Sequence, residues 1–220
     1  MCGIVGYTGL KQADLVLVPA LQRLEYRGYD SAGLATIFQG RIQLRKKAGK
    51  IHNLVQSLQD FPILGTTGIS HTRWATHGPA NDVNAHPHIS EDGSIAVIHN
   101  GIIENFAMLR DKLIADGVTL RSQTDTEVVA HLLSKQMKTT PGLADALREV
   151  CQVLTGAFTL VVVHAVAGLC GRLRWSRGGD GIVWAAVFAG GGRGSFVSRQ
   201  RADCGGLVSD GGARPSFGNF

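Results

Sequence analysis

The chain opens Met1-Cys2-Gly3-Ile4-Val5-Gly6-Tyr7, and the reading of this stretch decides the fold. Removal of the initiator methionine leaves Cys2 as the N-terminal residue, with a thiol and a free α-amine on one residue. Unperturbed, the amine titrates at about 7.7–8.0 and the thiol at about 8.5, so near neutral pH the amine can take the thiol's proton and act as a built-in general base. No distant histidine is then required. Gly3 to Tyr7 reads as a strand, which sets the nucleophile at a strand end. The same cysteine also fits a small buried residue at a strand start, and the stretch alone leaves both readings open.

Outward from it, short β-like runs alternate with amphipathic helical ones. Leu17, Leu21 and Leu24 mark one face of a helix over about 12–25. Strands follow at about 33–38 and 41–46, then a helix over about 50–59 and strands at 67–71 and 94–99. A long loop with Gly78, Pro79, Asn81 and Pro87 joins the last two, and a stretch of that length is functional or disordered. Helices are expected near 104–115, at Thr124-Asp125-Thr126-Glu127 and at Pro141. Thr124 with Glu127 fits a capping box, and Pro141 fits a first helical turn. A buried strand over 157–164 closes the body. Grouped strands with paired helices predict layered α+β packing.

At 220 residues, 44% hydrophobic and 18% charged, the chain has the composition of a globular domain. The apolar runs fall short of a membrane span, and no signal peptide precedes the body, so cytoplasm is the expected location. Cys2, Cys151, Cys170 and Cys204 lack the spacing of a disulfide framework or zinc site. The net charge of +5 is concentrated at the end: from Ala165 onward there are 7 Arg, no Lys, 3 Asp and no Glu. No basic stripe with interleaved aromatics lies in the body, which argues against nucleic acid as a partner.

Three polar clusters punctuate the body: Arg73-Trp74-Ala75-Thr76-His77-Gly78, His99-Asn100-Gly101 and Gln123-Thr124-Asp125-Thr126-Glu127. Arg73 can fork a substrate carboxylate, Asp125 can receive an ammonium, and Asn100-Gly101 can offer a side-chain amide and a backbone N–H to an oxyanion. Taken singly, each also fits a commoner role: a salt bridge, a helix-start carboxylate, a tight turn. His71, His77, His86, His88 and His99 cluster in sequence without His-x-x-x-His spacing or a companion cysteine, so structural roles are expected and no metal.

Together the motifs resemble one family. They are Met1 to Gly6, Leu24-Glu25-Tyr26-Arg27-Gly28-Tyr29-Asp30-Ser31-Ala32-Gly33, His71 to Gly78, Asn84-Ala85-His86-Pro87-His88, His99 to Asn105 and Thr124 to Glu127. Their order and spacing over residues 2–164 look like the class II glutamine amidotransferase domain of the glucosamine-6-phosphate synthases. The resemblance implies an N-terminal-nucleophile hydrolase fold, a four-layer αββα sandwich, and no cofactor. It implies that Cys2 attacks the γ-amide of L-glutamine, giving a γ-glutamyl thioester and ammonia, and that water releases glutamate. By similarity Asn100 and Gly101 form the oxyanion hole, with Arg27 near the nucleophile. Arg73 and Asp125 hold the substrate's α-carboxylate and α-amine, and Trp74, Thr76 and His77 belong to a closing loop. An amino-acid substrate needs one cationic and one anionic clamp, which Arg73 and Asp125 match.

Two departures accompany the match. The family continues into isomerase domains that bind fructose 6-phosphate, with a homodimer as an option in the full-length enzymes, and these domains are expected to be absent here. The likeness also stops near His164, so residues 1–164 are expected to be the glutaminase domain, its sandwich incomplete at the C-terminal end. Residues 165–220 are expected to be a divergent, disordered Gly/Arg-rich tail, read as an out-of-frame translation. The competing reading is an inactive truncated fragment.

Overall fold

The computed structural model describes residues 2–75, 77–140, 142–174 and 194–197. Its body is built from alternation. Along β1 (Gly3–Thr8), β2 (Ser31–Phe38) and β4 (Thr67–Arg73), one face carries Val5, Ala32 and Leu34, and the other Ile4, Ala35 and Ile69. Successive side chains on a strand point to opposite faces, so this sheet has two faces to cover. The first is covered by α1 (Asp14–Gln22), through Leu17 and Leu21, and by α2 (Ile51–Asp60), through Ile51 and Leu54. With β3 (Arg41–Ala48) and β9 (Gly194–Val197) the antiparallel order is β3-β2-β4-β1-β9.

A second antiparallel sheet repeats the logic, in the order β5-β6-β7-β8: His88–Ile89, Ile95–Gly101, Phe158–His164 and Gly168–Arg174. Ile95, Val97, Phe158, Leu160 and Val162 pack under α3 (Phe106–Ala115), α4 (Thr126–Gln136) and α5 (Leu143–Val153). Ala96, Ile98, Val161 and Val163 face the other way, onto Ile4, Ala35 and Ile69 of the first sheet. The layers therefore run helix, sheet, sheet, helix, the expected four-layer αββα sandwich. Sheets covered on both faces explain why β6 and β7 read as continuous apolar runs. Each fully buried Leu or Ile contributes about 1.5–3 kcal/mol, which outweighs the weak intrinsic preferences of such short segments.

Some expectations change. Glu127 does not close a capping box on Thr124: its carboxylate accepts the backbone N–H groups of Arg121 and Ser122 at 2.8 and 2.6 Å, while Thr124 bonds Ser122 and His88. The buried polar neighbours outcompete the local cap. Helix α5 begins at Leu143, and Pro141 lies outside the described residues. The loop before β5 is pinned at several points. Asp82 accepts from Ala48 N at 2.7 Å and from Lys47 Nζ at 2.9 Å, and the Asn84 amide bonds Pro79 O and receives Gln123 N, both at 3.0 Å.

Strand pairing also runs past His164. Strand β8 pairs with β7 from His164↔Gly168 to Phe158↔Arg174, and β9 pairs with β1. Leu169 of β8 enters the seam between the sheets, so the sandwich continues past His164. Most of the segment expected to be a disordered tail, with Cys204, lies outside the described residues.

Candidate active site

The apolar seam between the two sheets ends in polar residues on the same inward faces. Ile69 is followed two positions on by His71 and four on by Arg73; Ile98 is followed by Asn100; Ile4 is preceded by Cys2. Period-two alternation aims all of these at one end of the seam. His71 and Arg73 are 0% and 3% exposed, so the sandwich desolvates them while Cys2 stays half-buried.

Cys2 is clasped by the segment that follows β4. The Trp74 backbone N–H donates to Cys2 Sγ at 3.2 Å, and Sγ lies 3.7 Å from Trp74 O. Burial pushes the Cys2 thiol up; the Trp74 N–H, the amino terminus and Arg73 oppose this, and Asp30 adds to it. Asp30 organises the same segment. It donates its backbone N–H to Arg73 O at 3.2 Å, and its carboxylate accepts from Ala75 N and from Ser31 Oγ. Tyr29 meets the half-exposed Trp74 ring edge-on, with centroids 5.2 Å apart.

Asn100, near the end of β6, reaches Cys2 itself: its Nδ2 donates to Cys2 O at 3.2 Å, and its Oδ1 lies 2.9 Å from His71 Nε2. Gly101 follows at φ +120°, where a Cβ would sit 2.1 Å from Ala157 O. Only glycine fits this close approach.

Arg73 donates to His77 O and to Pro79 O, so in this state it braces the loop. Burial lowers its pKa, against the pull of Asp30, Cys2 and Asp125. All three are close enough to act on it electrostatically. Two donated bonds leave other N–H groups of its five-donor fork for a carboxylate. His77 meets the Phe106 ring edge-on at 5.2 Å.

Asp125 stands at the start of α4 but does not cap it. Its Oδ2 accepts Ile103 N at 3.0 Å and its Oδ1 lies 3.7 Å from His99 Nδ1. Burial pushes its carboxyl up, but His99 and the Ile103 N–H outweigh that and hold it below the usual carboxylate range. An ionised carboxylate with spare lone pairs therefore lies within electrostatic reach of Arg73. Beneath it, Thr126 Oγ1 bonds His86 Nε2 at 2.7 Å and His99 Nδ1 at 3.0 Å.

The structure thus gathers Cys2, Arg73, Trp74 and Asn100 around one point, with Gly101 next to Asn100 and Asp125 within electrostatic reach. Arg27 ends a 3-10 turn, Glu25–Arg27, whose Gly28 packs on the Arg73 backbone. Thr76 lies outside the described residues. Among the described residues no group of three or more His, Cys, Asp or Glu could hold a metal, and no helix is long and apolar enough to cross a membrane. Sequence reasoning expected only a structural role for His71 and assigned none to Asp30, Asn84 or Thr126. The two-residue step from Ile69 would have marked His71 as an inward neighbour of Arg73.

Residues 71–176 match the family described as a glutamine amidotransferase domain. The chain is 56% identical over 168 residues to the glutamine–fructose-6-phosphate aminotransferase (isomerizing) of Streptomyces coelicolor, covering 76% of this chain and 27% of that protein. It is 52% identical over 165 residues to the enzyme of the same name from Pyrococcus horikoshii, covering 75% and 28%. The chain thus spans about a quarter of the length of these relatives. Among solved structures, glutamine phosphoribosylpyrophosphate amidotransferase from B. subtilis aligns with a TM-score of 0.67 at 26% identity, over 78% of this chain and 37% of that one. An allosteric regulatory enzyme of purine biosynthesis aligns with a TM-score of 0.68 at 27% identity, with the same coverage. Residues 71–176, which carry Arg73, Asn100, Gly101 and Asp125, are thus similar to a glutamine amidotransferase domain, on a fold shared with amidotransferases of solved structure.

Proposed function

We propose that this domain hydrolyses L-glutamine to glutamate and ammonia with Cys2 as nucleophile. The observation that carries the reading is the meeting of Cys2 with Asn100: the Asn100 amide nitrogen is 3.2 Å from the Cys2 carbonyl oxygen, and Cys2 Sγ is held by Trp74 N. With Met1 removed, the Cys2 amine accepts the thiol proton as sulfur bonds the γ-carbonyl carbon. The developing oxyanion is met by Asn100 Nδ2 and Gly101 N. Collapse of this intermediate breaks the carbon–nitrogen bond, the proton passes to the departing nitrogen as ammonia leaves, and water then cleaves the thioester to glutamate. Arg73 pairs with the α-carboxylate and Asp125 with the α-ammonium, with Trp74, Thr76 and His77 closing the loop and Arg27 flanking the nucleophile. Such clamps convert binding energy into a near-attack geometry.

The name of the relatives gives fructose 6-phosphate as amino acceptor, and we propose the same acceptor when this domain works beside an isomerase part, with cytoplasm as the compartment. The test is glutamate release from L-glutamine by Met1-free protein. Turnover that vanishes in Cys2→Ala and falls about 100- to 1,000-fold in kcat in Asn100→Ala supports the reading. Correctly processed, folded protein with no turnover overturns it and favours the inactive fragment.

A further inference from the structure

We propose that His71 is a positioning residue for the oxyanion donor: its Nε2–H locks the Asn100 amide in the one orientation that presents NH2 to the reacting carbonyl. This rests on the hydrolase reading above and adds a residue to it. A carboxamide has a donating end and an accepting end of almost the same shape, and if flipped it would turn a carbonyl oxygen toward the developing oxyanion.

Two contacts decide between the orientations. Cys2 O, 3.2 Å from one end of the amide, is an acceptor only, so that end is the NH2. The oxygen then faces His71 Nε2 at 2.9 Å, and that ring nitrogen must carry the proton. One Nδ2 hydrogen is spent on Cys2 O, which leaves the other for the substrate.

The ring is well placed for the task. His71 is fully buried on β4, between its backbone partners Ile4 and Gly33. It meets the His86 ring edge-on at 4.5 Å, and His86 is itself tied to Thr126 at the start of α4. Burial, with His99 and Arg73 nearby, holds it neutral, against the pull of the Asn100 bond and of the His99 backbone, and its Nδ1 has no hydrogen-bond partner among the described residues. A neutral ring keeps a single proton, and the Asn100 oxygen holds that proton on Nε2.

The experiment is a double-mutant cycle on Met1-free chain, with rates normalised to the folded fraction by circular dichroism. His71→Met should lower kcat for glutamine roughly 10- to 100-fold with KM within about threefold of wild type. In an Asn100→Ala background the same substitution should cost less than about twofold, because the group it positions is gone. His71→Gln, which can return an N–H to the Asn100 oxygen, should recover most of kcat. Inhibition by the aldehyde analogue of glutamine, whose thiohemiacetal places an oxyanion in the hole, should weaken in parallel with kcat/KM, while glutamate binding holds. If His71→Met does not fold, His71→Asn, too short to reach the oxygen, replaces it against His71→Gln. An unchanged kcat, equal losses in both backgrounds, or an effect confined to KM overturns the role. An inactive wild type overturns the hydrolase reading as well, so the two failures are distinct.

Discussion

The backbone N–H of Trp74 lies 3.2 Å from Cys2 Sγ, across a sequence separation of 72 residues. A donor at that point stabilises a thiolate, yet burial and Asp30 act the other way and the net effect is a raised thiol pKa. Alkylation of Cys2 by iodoacetamide in protein that retains Met1 should therefore still be accelerating at pH 9. Excision of Met1 brings an ammonium onto the same residue, and the midpoint should move down. A profile centred below that of free cysteine before excision would contradict this balance.

Asp30 holds the Arg73–Ala75 segment against Cys2 through Ala75 N and its own N–H to Arg73 O. Asp30→Ala should lower kcat/KM for glutamine about 10- to 100-fold, since a displacement of about 1 Å at a reacting group can cost that much. The same substitution removes a charge that pushes the Cys2 thiol up. Alkylation at pH 8 should then become faster as turnover becomes slower. Parallel loss of both would mean general disruption and not this contact.

Gly101 and Gly93 both sit at positive φ, +120° and +71°, but only Gly101 is crowded: a Cβ there would lie 2.1 Å from Ala157 O and 2.8 Å from Phe158 Cα, while Gly93 has nothing within 4 Å. Gly93→Ala should cost about 1–2 kcal/mol from backbone strain alone. Gly101→Ala should cost clearly more, with Tm falling about 2–4 °C per kcal/mol in thermal unfolding. Equal shifts would remove the steric argument.

Burial lowers His71 to about 4 and holds His86 and His88 well below the usual imidazole range. Between that folded value and the unfolded value of about 6.5, the unfolded chain binds more protons, so stability rises with pH through this window and is lost as pH falls through it. His71 by itself accounts for about 3 kcal/mol between pH 7 and pH 4. Tm should be nearly flat from pH 7 to 8 and fall steeply from 6.5 toward 4, less steeply in His71→Gln. A flat Tm down to pH 4.5 would show that these rings are not buried neutral.

The sequence by itself determined a good deal. Cys2 ahead of the apolar Ile4–Val5 step placed a candidate nucleophile at a strand end, and the alternation in β1, β4, β6 and β7 is local enough to be read as layered strands. The order and wording of the motifs around Arg73, Asn100 and Asp125 carried the family resemblance. What only the tertiary structure decided is pairing across the seam. Nothing local in Gln-Thr-Asp-Thr-Glu shows that Glu127 takes the amides of Arg121 and Ser122 and leaves Thr124 to His88. Nor does it show that Asp82 pins the loop to Ala48, or that His71 meets Asn100. Propensity and period act over a few residues. Hydrogen-bond partners in a desolvated seam are chosen by which polar groups two stacked sheets leave facing each other, because an unpaired one costs more than any local preference returns.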